Sequence, residues 1–182
     1  MMIRRFFIIS NTVDTSKPLS LNSLTGYGRL DVLCRCVTAA FFLSDHFRKD
    51  VILEIYFQIN GKLLEISGEK VRGINPDERA IAGVLKRVFK GYSYSGIRFY
   101  AQNLNHCLNK HNYILLDSKG EHLSHLFEEH DSFLIGDQIG FLEEHYEIFN
   151  QLPKISLGSQ IYLSSQTITI LNYLLDNFKS KV

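Results

Sequence analysis

The sequence has few cysteines, almost no net charge and no long apolar run, and each shortage excludes a class of protein. Three cysteines, Cys34, Cys36 and Cys107, are too few for a secreted disulfide framework, so they predict a reducing, cytoplasmic environment. The formal net charge is +1, from 20 Lys and Arg against 19 Asp and Glu, so contact with RNA requires a local basic patch or a dimer. No apolar run approaches the ~20 residues of a membrane-spanning helix.

Motifs for zinc binding and for serine hydrolysis are also missing. His122, His125 and His130 lie near one another in the chain, but no matching Cys pair and no His-Glu-x-x-His motif accompanies them, so we expect no metal site. Cys34 and Cys36 are separated by one residue, which points them to different sides of a helix and predicts packed thiols. The absence of a nucleophile elbow argues against a Ser–His hydrolase.

The composition is that of one ordinary globular domain. The 182 residues are 45% hydrophobic and 21% charged. A chain of this length buries about two-thirds of its unfolded surface, so a single domain over residues 1–182 needs neither a disulfide nor a metal ion to form a core.

Strand and helix patterns alternate along the chain. Apolar runs predict strands at 3–9, 51–59, 62–67, 96–99, 113–117, 133–135 and 154–157. Periodic or capped segments predict helices near 28–41, 75–90, 101–110, 142–150 and 164–178. In the second helix Asn75 is the predicted N-cap, with Pro76 at the first helical position. This alternation predicts an α/β fold with a mostly parallel sheet.

Three of the predicted strands end in turns of small or polar residues. These predicted turns lie at 117–120, 136–137 and 158–159, and each contains a glycine. Ligands of parallel sheets bind at the carboxyl ends of strands, and glycine lets a backbone approach a ligand closely. A polar segment at 10–27, long for a loop inside a compact domain, is also expected to be functional.

Several segments resemble the pseudouridine N1-methyltransferase family known as TrmY. The longest is GRLDVLCRCV at 28–37, which continues as TAAFFLS to residue 44; NPDER at 75–79, FLIGD at 133–137 and SLG at 156–158 follow in the same order. The resemblance covers nearly the whole chain. It implies a SPOUT methyltransferase with helices flanking the sheet. The C-terminal part, about 113–182, would form a deep trefoil knot and hold S-adenosylmethionine.

The resemblance also implies an activity and partners. Archaeal relatives methylate N1 of pseudouridine 54 in the T loop of tRNA and are homodimers, so we expect an RNA partner and neither DNA nor a membrane. At the position of their Asp-His-Cys run this chain has Ser165, Gln166 and Thr167, and their Asn-Glu pair becomes Tyr173-Leu174. This departure indicates a divergent branch, for which a bacterial origin is one explanation. A non-catalytic RNA- or partner-binding homologue and a methyltransferase with another acceptor remain alternatives.

The matched segments supply the candidate catalytic and substrate-binding residues. Asp31 is the candidate base for the N1 proton, and an ion pair with Arg35 or a substrate-positioning role is the alternative. Arg29, also a catalytic candidate, would hold a phosphate or a base edge unless it is a solvated loop arginine. Arg35, Asp77 and Arg79 are further candidates for substrate binding.

The cofactor candidates come from the strand ends. Leu134, Gly136, Asp137, Gly158 and Thr167 would form a pocket in which apolar side chains sandwich the adenine and backbone groups read its edge. The alternative for these residues is packing and turn chemistry.

Charged residues of the second predicted helix have structural alternatives. Glu78 is expected to complete a capping box in the first turn. Lys86, Arg87 and Lys90 form a basic edge that fits RNA phosphates, although a solvated helix face is the commoner explanation for such an edge.

Overall fold

A computed structural model of the protein describes residues 3–122 and 130–178. Within these ranges the strands are β1 (Arg4–Ser10), β2 (Val51–Phe57), β3 (Lys62–Ser67), β4 (Ile97–Ala101), β5 (Tyr113–His122), β6 (Ser132–Gly136) and β7 (Lys154–Ser156). The helices are α1 (Leu30–Phe41), α2 (Glu78–Phe89), α3 (Leu104–Leu108), α4 (Glu143–Phe149) and α5 (Ser164–Phe178).

The strands form one mixed sheet in the order β4-β3-β2-β1-β6-β5-β7. β1 pairs in parallel with β2 and β6, and β5 pairs in parallel with β6 and β7. Only β3 and β4 add antiparallel pairings, at one edge of the sheet. The predicted α/β fold with a mostly parallel, helix-flanked sheet is therefore confirmed.

Both faces of the sheet are buried. Successive side chains of a strand point to opposite faces, so Phe6 and Ile8 pack on one side and Phe7 and Ile9 on the other. The first side carries the larger core, to which α1, α2 and α5 contribute, and α3 and α4 cover the second side. Continuous apolar runs are typical of parallel strands covered on both faces.

The predicted turn at 117–120 is wrong, because the strand continues past it. Leu116 and Glu121 both pair with Ile155, so the four residues between them bulge out of β5 while the pairing with β7 resumes. A Cβ at Gly120 would lie 2.6 Å from the carbonyl carbon of Ile155, so glycine allows this close approach. The sequence shows where the apolar run stops, but not that pairing resumes beyond it.

The predicted N-cap of α2 at Asn75 is also wrong. Asp77 caps the helix, because its Oδ1 accepts a hydrogen bond from the Ala80 N–H at 2.8 Å. Glu78 is the first helical residue, and its carboxylate binds Arg35 at 3.0 Å instead of completing a capping box. The third predicted helix is also shorter than expected, since Asn103 caps it just before Leu104.

Among the described residues, no helix is long and apolar enough to cross a membrane. Within the same ranges, no group of three or more His, Cys, Asp or Glu side chains is placed to hold a metal ion, and His125 lies outside them. All three cysteines are free and buried, which confirms the prediction of packed thiols for Cys34 and Cys36. Burial raises the pKa of Cys34 to about 12 and that of Cys107 to about 11.

Candidate active site

The carboxyl end of β6 and the neighbouring bulge of β5 border a cavity. β6 ends at Gly136, and Leu116, Asp117 and Ser118 of β5 also line the cavity. The cavity has a volume of about 490 Å³, and small-molecule pockets are commonly about 300–1,000 Å³. Its walls include Val32 of α1, Gly136, Asp137 and Thr167 of α5. A cavity at this edge of a parallel sheet is where the strand-end argument placed the ligand.

A smaller cavity of about 110 Å³ adjoins the first and shares Leu116, Ile161 and Thr167 with it. Gly158 lines this cavity with a φ of +114°, and a Cβ there would point into open space. The Ser156 hydroxyl holds the turn, since it donates to the Gly158 carbonyl at 3.0 Å and accepts from the Gly158 N–H at 3.1 Å. The two cavities bring together four of the five cofactor candidates.

Asp137 lies at the floor of the larger cavity and is hydrogen-bonded to Asn11, in the segment that follows β1. The residue is buried, and its carboxylate accepts hydrogen bonds from the Asn11 N–H at 2.7 Å and from the Ile139 N–H at 3.0 Å. The Asn11 side chain also donates to the Gly140 carbonyl at 3.0 Å. Asp137 therefore shapes the cavity by fixing two loops, whatever it contacts in a ligand.

The backbone at residue 136 lies so close to the backbone of Gly140 that only glycine fits at this position. A Cβ at Gly136 would lie 2.9 Å from the Gly140 Cα, which is closer than real Cβ contacts. The Gly136 carbonyl accepts a hydrogen bond from the Ser164 hydroxyl at 2.7 Å, and Ser164 is the first residue of α5. The start of α5 is thereby tied to the end of β6, which fixes the back wall of the cavity.

Leu134 is the cofactor candidate that the structure keeps apart from the other four. Its side chain is fully buried with Phe7, Tyr113 and Phe149 on the opposite face of the sheet and lines neither cavity. Its neighbour Ile135 faces the larger cavity instead. Successive side chains of a strand point to opposite faces of the sheet, so Ile135 and not Leu134 lies on the cavity side.

Asp31 is held between two arginines at the start of α1. Its side chain is 6% exposed and binds Arg29 Nε at 3.1 Å and Arg35 Nη2 at 2.8 Å. Arg29 precedes the helix with a φ of +65°, in the left-handed conformation. The predicted ion pair with Arg35 is present, and Arg29 adds a second one. Val32, the residue after Asp31, lines the cavity.

The arginines determine the charge state of Asp31. Burial raises the pKa of this carboxyl, but hydrogen bonds and positive charge from Arg29 and Arg35 outweigh burial, so the pKa lies below its ordinary value of 3.8. Asp31 is therefore a carboxylate throughout the physiological pH range, able to accept hydrogen bonds and not to donate them.

The other substrate candidates are dispersed. Arg79 donates to the Asn22 side chain at 3.0 Å and so contacts the long polar segment before α1. Asp77 caps α2, and neither residue lines the two cavities. Arg35 joins Asp31 to Glu78 and so links α1 to α2.

Residues 3–180 match the model of a family described as "Putative SAM-dependent RNA methyltransferase". The chain belongs to this methyltransferase family. The match spans both cavities and the Arg29–Asp31 pair, and it agrees with the resemblance to TrmY.

Curated relatives of the methyltransferase support the assignment. The tRNA (pseudouridine(54)-N(1))-methyltransferase of Methanocorpusculum labreanum is 32% identical over 182 residues, covering 92% of this chain and 93% of that protein. The enzyme of the same name from Methanocaldococcus jannaschii is 32% identical over 198 residues, covering 96% and 97%. The structure of Archaeoglobus fulgidus Nep1 bound to S-adenosylhomocysteine has the same fold, with a TM-score of 0.74, 15% identity and coverage of 98% and 100%.

Ser165, Gln166 and Thr167, which depart from the archaeal pattern, lie in two different places in the structure of this methyltransferase. Thr167 lines both cavities, as expected for a residue of the cofactor pocket. Ser165 and Gln166 face away from them, into a groove of about 640 Å³ between α1 and α5. Gly136, Asp137 and Gly158 do not line this groove. Ser165 and Gln166, which replace the Asp and His of the archaeal relatives, therefore lie outside the strand-end cavities.

Several residues on and around the larger cavity of the methyltransferase were not predicted from the sequence. Asn11 binds Asp137, and the Gln138 side chain donates to Thr12 at 2.7 Å, so both fix the loops around the cavity. Asn11 could have been found, because it directly follows the carboxyl end of β1. The aromatic residues Tyr146 and Tyr162 line the larger cavity from outside the strands, and no sequence period indicates such positions.

Proposed function

We propose that this methyltransferase transfers a methyl group from S-adenosylmethionine to N1 of pseudouridine 54 in tRNA. The observation that carries the proposal is the cavity at the carboxyl end of β6 and the bulge of β5, with the Arg29–Asp31 pair at the start of the helix that borders it. The names of the curated relatives support the acceptor, and the ligand of Nep1 supports the cofactor.

The residues around the two cavities fit an adenosyl cofactor. When bound, S-adenosylmethionine supplies an electrophilic methyl group on a positively charged sulfur. Ile135 and Ile161 offer apolar contacts for an adenine ring, while open backbone at Gly158 and the Thr167 hydroxyl offer hydrogen bonds. The ordered loops around Asp137 would align the reacting groups and exclude water, the main requirement for this transfer.

On the acceptor side, Asp31 and Arg29 have complementary roles. N1 of pseudouridine carries a proton, and Asp31 Oδ1 has acceptor capacity beyond its bond to Arg29. We therefore assign to Asp31 the removal of this proton. The Arg29 side chain is 46% exposed, so its guanidinium can hold a phosphate or a base edge of the substrate.

The assignment is tested by calorimetry with S-adenosylmethionine and by methyl transfer to a tRNA transcript carrying pseudouridine or uridine at position 54. We expect saturable cofactor binding and a gain of one methyl group only on the pseudouridine transcript. RNA binding without transfer would instead identify a non-catalytic homologue. Transfer to the uridine transcript, or to another position, would show a different acceptor.

We also propose that the protein is a cytoplasmic homodimer with a deep trefoil knot in its C-terminal part. The knot proposal is supported by the fold shared with Nep1. The cytoplasmic location is supported by three free, buried cysteines. The dimer proposal is supported by the groove between α1 and α5, where Tyr173 is 65% and Leu43 38% exposed, since covering such side chains favours association.

A single charge in the groove is expected to dissociate this dimer. Light scattering of the wild type should give twice the 21.0 kDa of one chain, and Tyr173→Glu should give 21.0 kDa, because association would bury the new carboxylate without a partner. Tyr92→Glu is a matched control, since Tyr92 is 61% exposed outside the groove. A dimer that survives Tyr173→Glu would place the interface elsewhere.

A further inference from the structure

The near-neutral net charge conceals an uneven distribution along the chain. Residues 79–116 contain six Lys and Arg residues and no Asp or Glu. Since the whole chain carries only +1, the rest of the sequence is net negative. In the structure this segment forms α2, β4, α3 and the start of β5.

Four cations lie at the end of α2 and the start of β3, a region that we call the basic corner: Lys62, Lys86, Arg87 and Lys90. Lys62 begins β3, and the other three lie at the end of α2. A cluster of rings holds these two places together. Phe89 lies 5.2 Å from Phe99 between ring centres, and Lys62 Nζ lies 5.0 Å above the Phe99 ring.

The positive charges of the basic corner are uncompensated. Within residues 3–122 and 130–178, no ion pair or side-chain hydrogen bond involves the charged group of any of the four. Other arginines differ: Arg35 binds Asp31 and Glu78, and Arg98 binds Glu65 at 2.6 Å. Uncompensated cations close together raise the local concentration of anions and steer polyanions to the surface.

An exposed aromatic ring lies beside these cations. Tyr92 is 61% exposed, and the Arg87 guanidinium lies 5.9 Å from the centre of its ring. Cations beside an accessible ring match what RNA offers, since the cations bind phosphates and the ring stacks on an unpaired base. A solvated helix face accounts for charge on α2, but not for its convergence with Lys62 and Tyr92.

The basic corner lies at the same edge of the sheet as the candidate active site. Lys62 pairs with Phe57, the last residue of β2, and Phe57 also contacts Phe89 of α2, with 5.4 Å between ring centres. β3 and β6 are three strands apart in the sheet, which corresponds to about 14 Å. A folded RNA whose target base enters the cavity therefore extends over the corner.

We propose that the basic corner binds the phosphate backbone of tRNA beside the target nucleotide. The proposal rests on the proposed function, and it assigns the RNA-binding surface to the end of α2 and the start of β3. It also explains how a chain of nearly zero net charge binds a polyanion: the cations are segregated, not numerous. Lys86, Arg87 and Lys90 would contact phosphates, which carry no sequence information, so they position the tRNA.

The test is the triple variant Lys86→Gln/Arg87→Gln/Lys90→Gln, compared with Lys49→Gln/Lys70→Gln/Lys110→Gln. The control removes the same charge from exposed lysines near the starts of β2 and β5 and the end of β3, at the opposite edge of the sheet. At about 0.15 M salt we expect the first triple to weaken tRNA binding by about 10- to 100-fold. The slope of log affinity against log salt should become shallower by about three.

Both variants should bind S-adenosylmethionine as the wild type does, and the control should bind tRNA within about threefold. Equal weakening by the two triples would show a general charge effect and overturn the proposal. Unchanged tRNA binding by the first triple would also overturn it and leave the surface to another anionic partner. If the wild type methylates no tRNA but the first triple still loses RNA affinity selectively, the proposed reaction fails and the surface stands.

Discussion

Gly28→Ala is expected to lower the melting temperature by about 6–12 °C. Gly28 has a φ of +61°, and a Cβ there would lie 2.1 Å from the Thr12 carbonyl oxygen and 2.7 Å from the Val13 Cα. These are backbone atoms, which cannot rotate away as a side chain can. Overpacking and left-handed strain together are expected to cost about 3 kcal/mol, at about 2–4 °C per kcal/mol for a chain of this size.

The effect should reach the cofactor site, because the displaced segment is part of it. The Thr12 hydroxyl donates to the Gly28 carbonyl at 2.7 Å and accepts from Gln138, and Asn11 binds Asp137. Moving residues 11–13 therefore disturbs the floor of the cavity. We expect calorimetry to show weaker S-adenosylmethionine binding as well as the thermal shift.

Gly83→Ala is the matched control. Gly83 lies within α2 with no atom within 4 Å of the position of a Cβ, so alanine should stabilise the helix by about 0.5–1 kcal/mol. The same substitution thus has opposite expected signs at two positions. If Gly28→Ala melted at the wild-type temperature, the close approach of Gly28 to Thr12 would be contradicted.

The sequence predicted the order of elements and the edge of the sheet that holds the site. Apolar runs located all seven described strands, since burial on both faces leaves a clear compositional signal. The strand-end rule then placed Gly136 and Gly158 beside cavities. The Leu134 side chain does not line either cavity. Alternation along the strand separates Leu134 from Ile135, but the sequence does not reveal which face of the sheet the cavity occupies.

Contacts between distant segments could not be predicted. Helical spacing indicated the pair of Asp31 with Arg35, but the pair with Arg29 depends on a left-handed backbone at a non-glycine residue. Bringing Lys62 close to the end of α2 depends on packing between Phe89 and Phe99, which no local pattern encodes. The N-cap of α2 was predicted two residues too early, because Asn75 and Asp77 both suit an N-cap and their residue types alone do not decide between them.

Asp31→Asn is expected to lower kcat by about 10²- to 10⁴-fold, the range that general acid–base catalysis contributes. The amide keeps the size of the side chain but cannot take up the N1 proton. Affinity for S-adenosylmethionine should be unchanged within about twofold, because Asp31 does not line either cavity. Single-turnover methyl transfer measures the first effect and calorimetry the second.

The pH dependence follows from the lowered pKa of Asp31. Burial raises this pKa, but the hydrogen bonds and charges of Arg29 and Arg35 lower it by more, so the pKa lies below 3.8. Such a group stabilises the folded state fully above pH 3.8, and its contribution is lost only as the pH falls through the lower folded-state pKa. Between pH 8 and pH 5, kcat/KM should therefore show no loss from protonation of Asp31.

Glu78→Gln separates proton removal from the ion-pair network. This variant makes the same carboxylate-to-amide change at the other end of the network, where Glu78 binds Arg35 at 3.0 Å. The ion pairs of Asp31 with Arg29 and Arg35 are left in place. The Glu78 side chain is 40% exposed, so its pair with Arg35 is expected to contribute little to stability, and kcat should stay within about threefold of the wild type. A similar loss in both variants would attribute catalysis to the shape of the network. Full activity of Asp31→Asn would leave Asp31 as an ion-pair partner that positions Arg29, and the base would have to be another group.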